Sequence, residues 1–345
     1  MSPAREEEVG RGMAVLEARD VSKVYGARGR GGRRIAAVRD LSLGVREGET
    51  LGIVGESGSG KSTTARLMLA LEAPTSGTVL YRGSPVREMG GEALRRFRRT
   101  AQIVFQDPYG TLNPRLTVAT MLREALHVHR IVEGRRAEDD RIGALLEMVG
   151  LEARDAGRYA HEFSGGQRQR VGIARALSVE PRILVADEPV SALDVSVQAQ
   201  ILGLLRELQA RLGLTLVFIA HDLAVVRQIS DRVAVMYMGR VVESAPTDEL
   251  FREPLHPYTE ALLSSIPRVR SGGRGSGRRV LLHGDVGRRS DVEEGGCPFY
   301  ARCWHPDRGD RCLEAVPGLE VRGGGRAVRC VATRKTSLTR GSAGP

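Results

Sequence analysis

The short apolar run Leu51-Gly52-Ile53-Val54 leads into Gly55-Glu56-Ser57-Gly58-Ser59-Gly60-Lys61-Ser62, and Thr63 to Leu71 continue in a helical pattern. A strand, a glycine-rich turn and a helix in that order leave few folds open. The glycines let the backbone turn so that several N–H groups face one point, and the helix aims its positive end at the same point. Such a loop binds phosphate. In this pattern Lys61 reaches the β- and γ-phosphates of a nucleotide, the Ser62 hydroxyl ligates Mg²⁺, and Thr63 opens the helix. Lysine is scarce, with only Lys23, Lys61 and Lys335 in 345 residues, so Lys61 is not one of a crowd.

Strand-like runs recur at 50–54, 103–105, 183–186, 214–220 and 233–238, with helical patterns at 63–71, 141–149, 167–177 and 197–212 between them. Alternation of this kind specifies an α/β fold with a parallel sheet, and purely apolar strands specify a sheet covered on both faces. Ala14 to Val21 reads as a further strand. Residues 1–12 and 334–345 read as disordered ends, and Gly26 to Arg34 as an exposed Gly/Arg loop. Nothing at the start resembles a signal peptide, and no run approaches the ~20 apolar residues of a membrane span.

The net charge of +10 is uneven. Residues 266–345 carry 16 Lys or Arg against 8 Asp or Glu, whereas the first 265 residues are nearly neutral. The basic excess therefore belongs to the tail, and a general nucleic-acid-binding surface is not implied. A solvated Arg-rich extension and a segment near an anionic lipid surface both fit that tail.

Two further sites carry chemistry. Ile183-Leu184-Val185-Ala186 ends in Asp187-Glu188. An acid at the end of a buried strand beside a phosphate loop can hold Mg²⁺, and its neighbour can polarise a water for attack on phosphorus. Phe163-Ser164-Gly165-Gly166-Gln167 precedes a helix. It is either a second anion site or a plain N-cap by Ser164. Two phosphate-facing sites on one chain point to ATP shared between two chains.

Together these residues resemble the ATP-binding subunit of an ABC transporter across roughly residues 14–265. The resemblance implies a P-loop NTPase (RecA-like) parallel sheet, an antiparallel β subdomain and a helical subdomain at about 107–173, all within an ATPase domain over 13–265. It assigns Gly55, Glu56, Ser57, Gly58, Ser59, Gly60, Lys61 and Ser62 to the first Walker motif. Asp187 and Glu188 become the Walker B aspartate and catalytic base. Gln106, in Val104-Phe105-Gln106-Asp107-Pro108, becomes the Q-loop glutamine that contacts Mg²⁺ or water. Ser164, Gly165, Gly166 and Gln167 resemble the signature that meets the γ-phosphate bound by the opposite chain. Phe163 stands where Leu is commoner. Ser191 to Asp194 resembles the D-loop at the dimer interface. His221 resembles the switch histidine on the γ-phosphate. Tyr25 resembles the aromatic that stacks on adenine, with a strand-end core tyrosine as the alternative.

Three stretches narrow the match: Phe105 to Arg115, Asp187 to Gln200, and Pro254-Leu255-His256-Pro257-Tyr258-Thr259. They resemble the second ATPase subunit of dipeptide, oligopeptide and nickel importers. That resemblance implies a heterodimer with a homologous ATPase, two membrane permease subunits, an extracytoplasmic solute-binding protein, and a place on the cytoplasmic face of the membrane. The competing readings are a soluble ABC ATPase acting on nucleic acid or the ribosome, and a regulatory ATP-binding module. A single Walker set and the absence of a long coiled-coil insertion speak against the first.

All four cysteines, Cys297, Cys303, Cys312 and Cys330, fall in a segment over 297–333, beyond a Gly/Ser/Arg-rich linker within 266–296. A cytoplasmic chain does not favour two structural disulfides, so a tetrathiolate site is the expectation. Zinc prefers closer pairs, and an iron–sulfur cluster tolerates wider spacing. The subfamily resemblance extends to Gly296-Cys297-Pro298-Phe299 and implies a [4Fe–4S] cluster in some members, with zinc and metal-free thiols as the alternatives.

Overall fold

In the computed structural model, residues 14–26, 34–266, 282 and 295–332 are described. The expected disordered ends, most of the Gly/Arg loop and nearly all of the linker lie outside the described residues. The strands in chain order are β1 (Ala14–Gly26), β2 (Arg34–Arg46), β3 (Thr50–Val54), β4 (Ser76–Tyr81), β5 (Ser84–Pro85) and β6 (Ala101–Val104). They continue with β7 (Ile183–Asp187), β8 (Thr215–Ala220), β9 (Arg232–Tyr237), β10 (Arg240–Pro246), β11 (Glu320–Val321) and β12 (Ala327–Val328). One sheet is antiparallel, in the order β2-β1-β4-β5. The other has the order β11-β12-β10-β9-β3-β8-β7-β6. Its five strands from β9 to β6 run parallel, and β10, β12 and β11 add an antiparallel edge.

The parallel strands are apolar along their length because both faces are covered. In β7, Ile183 and Val185 join the core shared with the antiparallel sheet, and Leu184 and Ala186 join the core shared with the helices. β8 alternates the same way, with Val217 and Ile219 on one side and Leu216, Phe218 and Ala220 on the other. Strand alternation thus divides one sheet between two cores.

Between β6 and β7 the chain is helical. The helix Val118–Val128, which the sequence reading leaves out, starts at an N-cap Thr117 whose hydroxyl accepts from Thr120 N. It buries Val118, Met121, Leu122 and Leu126 on one stripe. The next helix spans Arg135–Met148, six residues earlier at its start than the apolar spacing alone marks. Those early residues are polar and are tied down by ion pairs, Arg123–Glu138 at 3.1 Å and Arg135–Asp139 at 3.3 Å. Apolar periodicity cannot register a turn held that way.

The cysteine segment shares the core and the sheet of the ATPase region. β12 pairs with β10, Glu243 opposite Val328 and Ser244 opposite Ala327. Buried Arg329 donates from Nε to Val241 O at 3.0 Å and from Nη1 to Pro317 O at 2.8 Å. Phe299 is 1% exposed and meets Tyr237 edge-on, with ring centroids 5.3 Å apart. Tyr258 and His256 complete its cage, at 5.5 and 5.7 Å. Phe299→Ala is therefore expected to cost about 3 kcal/mol of unfolding free energy. Urea unfolding of the full chain measures this, and a loss well under about 1 kcal/mol would show that the segment does not belong to the core.

Candidate functional site

The site lies where four neighbouring parallel strands end. Register pairs Val54 of β3 with Ala220 of β8, Ile219 of β8 with Asp187 of β7, and Ala186 of β7 with Val104 of β6. All four chains therefore leave the sheet at one edge, the usual place for a ligand in an α/β sheet. β3 delivers Gly55, β8 delivers His221, β7 delivers Asp187 and Glu188, and β6 delivers Gln106. A pocket of about 420 Å³ opens there, lined by Ser57, Gly58, Gly60, Lys61, Ser62, Thr63, Gln106, Glu188 and His221.

The phosphate loop leads into the helix Lys61–Met68. Gly60, its N-cap, has φ +107°. A Cβ there would lie 2.4 Å from the carbonyl oxygen of Ala37, so this close backbone approach admits only glycine. Lys61 is buried, and its Nζ donates to Gly55 O at 2.8 Å and to Glu56 O at 3.0 Å. The same Nζ lies 3.8 Å from a Glu188 carboxylate oxygen. Ser59, also buried, donates its backbone N–H to Glu56 O at 3.1 Å and closes the turn.

Ser62 Oγ donates to Asp187 Oδ1 at 2.9 Å. These hard oxygen donors suit Mg²⁺, which binds through one or two carboxylates and hydroxyls together with phosphate oxygens. Burial pushes the Asp187 carboxyl above its ordinary range, and the neighbouring Glu188 charge adds to this, while the Ser62 hydrogen bond opposes both. A divalent cation at this position would relieve the crowding of the two acids.

Glu188 sits in the left-handed region at φ +46°, a conformation a non-glycine residue holds only when its surroundings fix it. Its N–H donates to Ile219 O at 3.0 Å, which ties it to β8. Its carboxylate accepts from Gln106 Nε2 at 2.9 Å and stands 3.5 Å from His221 Nδ1. Gln106, Glu188 and His221 therefore converge on one point at the pocket wall.

Other expected residues do not line that pocket, although Tyr25 touches Thr63 at its rim. Ser164 caps the helix Gly165–Leu177 in a capping box: Gln167 N donates to Ser164 Oγ at 3.3 Å, and Ser164 N donates to Gln167 Oε1 at 3.0 Å. Ser164 is exposed. A Cβ on Gly165 would touch Leu193, and one on Gly166 would meet Val197 Cγ1 at 2.4 Å. The stretch Ser164 to Gln167 is thus packed on the loop around Asp194 rather than on the Lys61 pocket. Asp194 itself caps the helix Val195–Leu212, accepting from Ser196 N at 3.1 Å and Val197 N at 2.9 Å. Tyr25 is 38% exposed, its hydroxyl lies against Glu72 and Thr63, and Lys23 Nζ sits 5.1 Å from its ring centroid.

Cys297, Cys303, Cys312 and Cys330 line one small cavity of about 10 Å³, with His256 and Phe299 in its wall. Burial pushes the Cys297 thiol up to about 12, and the other three thiols add to this. Burial likewise raises Cys303. Among the described residues, no group of three or more His, Cys, Asp or Glu is arranged to hold a metal ion. The four thiols expected to hold zinc or a [4Fe–4S] cluster thus converge on one cavity, but they are not arranged as a metal site. They pack there as small apolar groups do.

The sequence reading does not foresee the contacts made on Glu56. Its N–H donates to Tyr258 Oη at 3.0 Å, and its carboxylate takes two bonds from Arg302. Separations of 202 and 246 residues leave no local signal for either.

A phosphate loop at the edge of a parallel sheet, with a serine–aspartate pair and an adjacent acid, defines a P-loop nucleoside triphosphatase. Residues 38–191 match the ABC transporter family, and residues 242–312 match the oligopeptide/dipeptide transporter C-terminal region. The chain is 46% identical to the oligopeptide transport ATP-binding protein AppF of Bacillus subtilis, over 92% of this chain and 96% of that one. It is 55% identical to OppF of the same organism over 68% and 77%, and 47% identical to a putative peptide import ATP-binding protein of Brucella ovis over 90% and 95%. Among solved structures, it resembles an ATP-binding cassette captured as a dimer after hydrolysis with ADP and Pi. The TM-score is 0.60 at 32% identity, covering 67% of this chain and 98% of that one. A second likeness is to cbiO1 of Clostridium perfringens, with TM-score 0.60 at 29% identity over 70% and 91%. The chain belongs to the ATP-binding subunits of ABC transporters, in the oligopeptide/dipeptide branch.

Gly60→Ala is expected to destabilise the fold by at least about 2 kcal/mol, through positive φ and the clash with the Ala37 carbonyl. Denaturant unfolding reads this directly, and an unchanged midpoint would mean that the loop opens freely.

Proposed function

We propose that this chain is the ATP-hydrolysing subunit of an importer for oligopeptides or dipeptides. The observation that carries the reading is the convergence of Lys61, Ser62, Gln106, Glu188 and His221 on one pocket, in a chain similar along nine-tenths of its length to peptide-import ATPases. Among the described residues no helix is long and apolar enough to cross a membrane. In this reading the subunit docks on two permease subunits at the cytoplasmic face of the membrane. The solute reaches those subunits from an extracytoplasmic binding protein. Nickel import is the competing substrate reading, and it shares all of the nucleotide chemistry.

In this reading Lys61 turns its ammonium from the loop carbonyls to the β- and γ-phosphates, and the loop amides from Gly55 to Thr63 bind the phosphate oxygens. Ser62 and Asp187 would hold Mg²⁺, which when bound would neutralise phosphate charge, and Gln106 would contact the ion or its water. Glu188 orients the attacking water as general base, and His221 bonds the γ-phosphate. Tyr25 stacks on the adenine. Ser164, Gly165, Gly166 and Gln167 close over the ATP of a homologous ATPase subunit, with Asp194 at the interface. In this reading the partner is a different ATPase chain, and closure of the heterodimer excludes water from the reacting phosphate.

The cysteine cavity is the proposed seat of a [4Fe–4S] cluster rather than of zinc. Four thiols line one cavity, and their wide sequence spacing suits a cluster better than the close pairs zinc prefers. A cluster there supplies positive charge that lets buried thiols ionise. It requires the thiols to part, because about 10 Å³ is free between them. Anaerobic purification with iron, sulfide and zinc analysis decides this, and protein free of iron and sulfide removes the cluster.

The function is tested by reconstituting the chain with its permeases and sister ATPase in vesicles and following labelled peptides and nickel. ATP-dependent peptide uptake is expected. Uptake of nickel alone, or of neither, would overturn peptide import. Glu188→Gln is expected to retain ATP and lower turnover at least about a hundredfold, as loss of a general base does. Ser62→Ala is expected to raise the Mg²⁺ concentration at half-maximal ATPase rate several-fold while ATP binding without Mg²⁺ stays near its original strength. An unchanged Mg²⁺ dependence would remove Ser62 as a ligand.

A further inference from the structure

We propose that Arg302 is a positioning residue for the triphosphate loop, so that the cysteine segment sets the affinity of the ATP pocket. This rests on the ATP-binding reading above. Arg302 closes the short 3₁₀ turn Tyr300–Arg302, directly before Cys303. Its Nη1 donates to Glu56 Oε2 at 2.8 Å, and its Nη2 donates to Glu56 Oε1 at 3.1 Å. This is a two-pronged guanidinium–carboxylate pair, the geometry in which such bonds are strongest and most directional. The side chains are 10% and 25% exposed, so water screens the pair only in part.

The turn that carries Arg302 is anchored to the body of the protein. Arg302 N donates to Phe299 O at 3.0 Å, and Phe299 is buried among Tyr237, Tyr258 and His256. Tyr300 and Cys303, on either side, line the thiol cavity. Tyr237 Oη adds a long contact to Arg302 Nη1, at 3.5 Å. The guanidinium therefore reaches Glu56 from a fixed base.

Glu56 is the second residue of the phosphate loop, and each of its polar groups is engaged. Its N–H donates to Tyr258 Oη, its carbonyl accepts from Lys61 Nζ, and its carboxylate is taken by Arg302. One of the two carbonyls that hold Lys61 thus belongs to the residue whose side chain Arg302 holds. Arg302 also cancels the negative charge carried by the phosphate loop itself, on the residue before Ser57 of the pocket lining. Without it, an unpaired carboxylate would remain on the loop that receives the polyanion, and binding would weaken by charge repulsion. Glu188, Gln106 and His221 make no contact with Arg302, so the chemical step should be spared.

The test compares the full chain with Arg302→Ala, Arg302→Lys and Arg302→Ala combined with Glu56→Gln. ATP affinity is measured by titration, and KM and kcat are measured with the sister ATPase. Arg302→Ala is expected to weaken ATP binding and raise KM roughly tenfold, the worth of a charged hydrogen-bonded pair, with kcat within about twofold. Arg302→Lys, which keeps the charge without the fork, is expected to fall between. Adding Glu56→Gln to Arg302→Ala is expected to restore most of the affinity, because it removes the uncompensated charge. A segment that only supports the fold would lower thermal stability and show no such rescue. Unchanged affinity in both single variants, a loss confined to kcat, or a second substitution that deepens the loss would each overturn the proposal. If Arg302→Ala does not fold, Arg302→Lys decides alone, and affinity equal to that of the unaltered chain overturns the proposal. Failure of the unaltered chain to bind ATP would instead overturn the function on which the proposal rests.

Discussion

The parallel hydrogen-bond ladder from β3 through β8 and β7 to β6 fixes where everything else can be. It brings four strand ends to one edge, so residues from positions 55, 106, 187 and 221 meet without any local sequence relation. A slip of one residue in β7 would turn Ile183 and Val185 from one core to the other and carry Asp187 away from Ser62. The cores resist that slip on both faces. The buried aliphatic strands are thus what hold the acid within hydrogen-bond reach of the loop serine.

Held there, the charges are in tension. Asp187 and Glu188 are adjacent acids, Asp187 is buried, and its carboxyl is pushed upward by that burial and by its neighbour. Lys61 is 3.8 Å from Glu188, yet its direct bonds run to the loop carbonyls. Glu188 also occupies a left-handed backbone conformation, fixed by its bond to β8. Strain and like charge gathered at one point fit a site built to receive a cation and a polyphosphate together, since these ligands supply the compensation that the protein withholds.

Much of this was legible in the sequence because its determinants are local. The loop Gly55 to Ser62, the acids ending β7 and the Ser164 cap each lie within a few residues, and continuous apolar runs marked the parallel strands. What escaped depends on distance. β10 places Glu243 fully buried within a strand, against any reading by polarity. Its carboxylate is satisfied by the N–H groups of Leu255 and His256, at 2.7 and 2.8 Å. The helix Val118–Val128 did carry a readable stripe, and β11 and β12, at two residues each, are too short for any period to appear. The four thiols line one cavity, but spacing could not reveal that Cys297 and Cys303 pack on the core that holds Tyr237 and Tyr258.

The arrangement of the second anion-facing motif has a consequence for assembly. Ser164 is exposed at the start of its helix, and the glycines after it are backed by Leu193 and Val197 of the loop and helix around Asp194. One close approach, of Gly166 to Val197, holds these elements together. A rigid helix start that faces outward and does not line the Lys61 pocket can meet a triphosphate only on another chain. In the proposed heterodimer each subunit then carries half of two sites. The contact from Arg302 to Glu56 reaches the loop from the side of the C-terminal segment, where Phe299 and Tyr258 wall it in. Nucleotide closure by the sister subunit and clamping by the cysteine segment would therefore act on the same loop through different residues, so the strength of one need not fix the strength of the other.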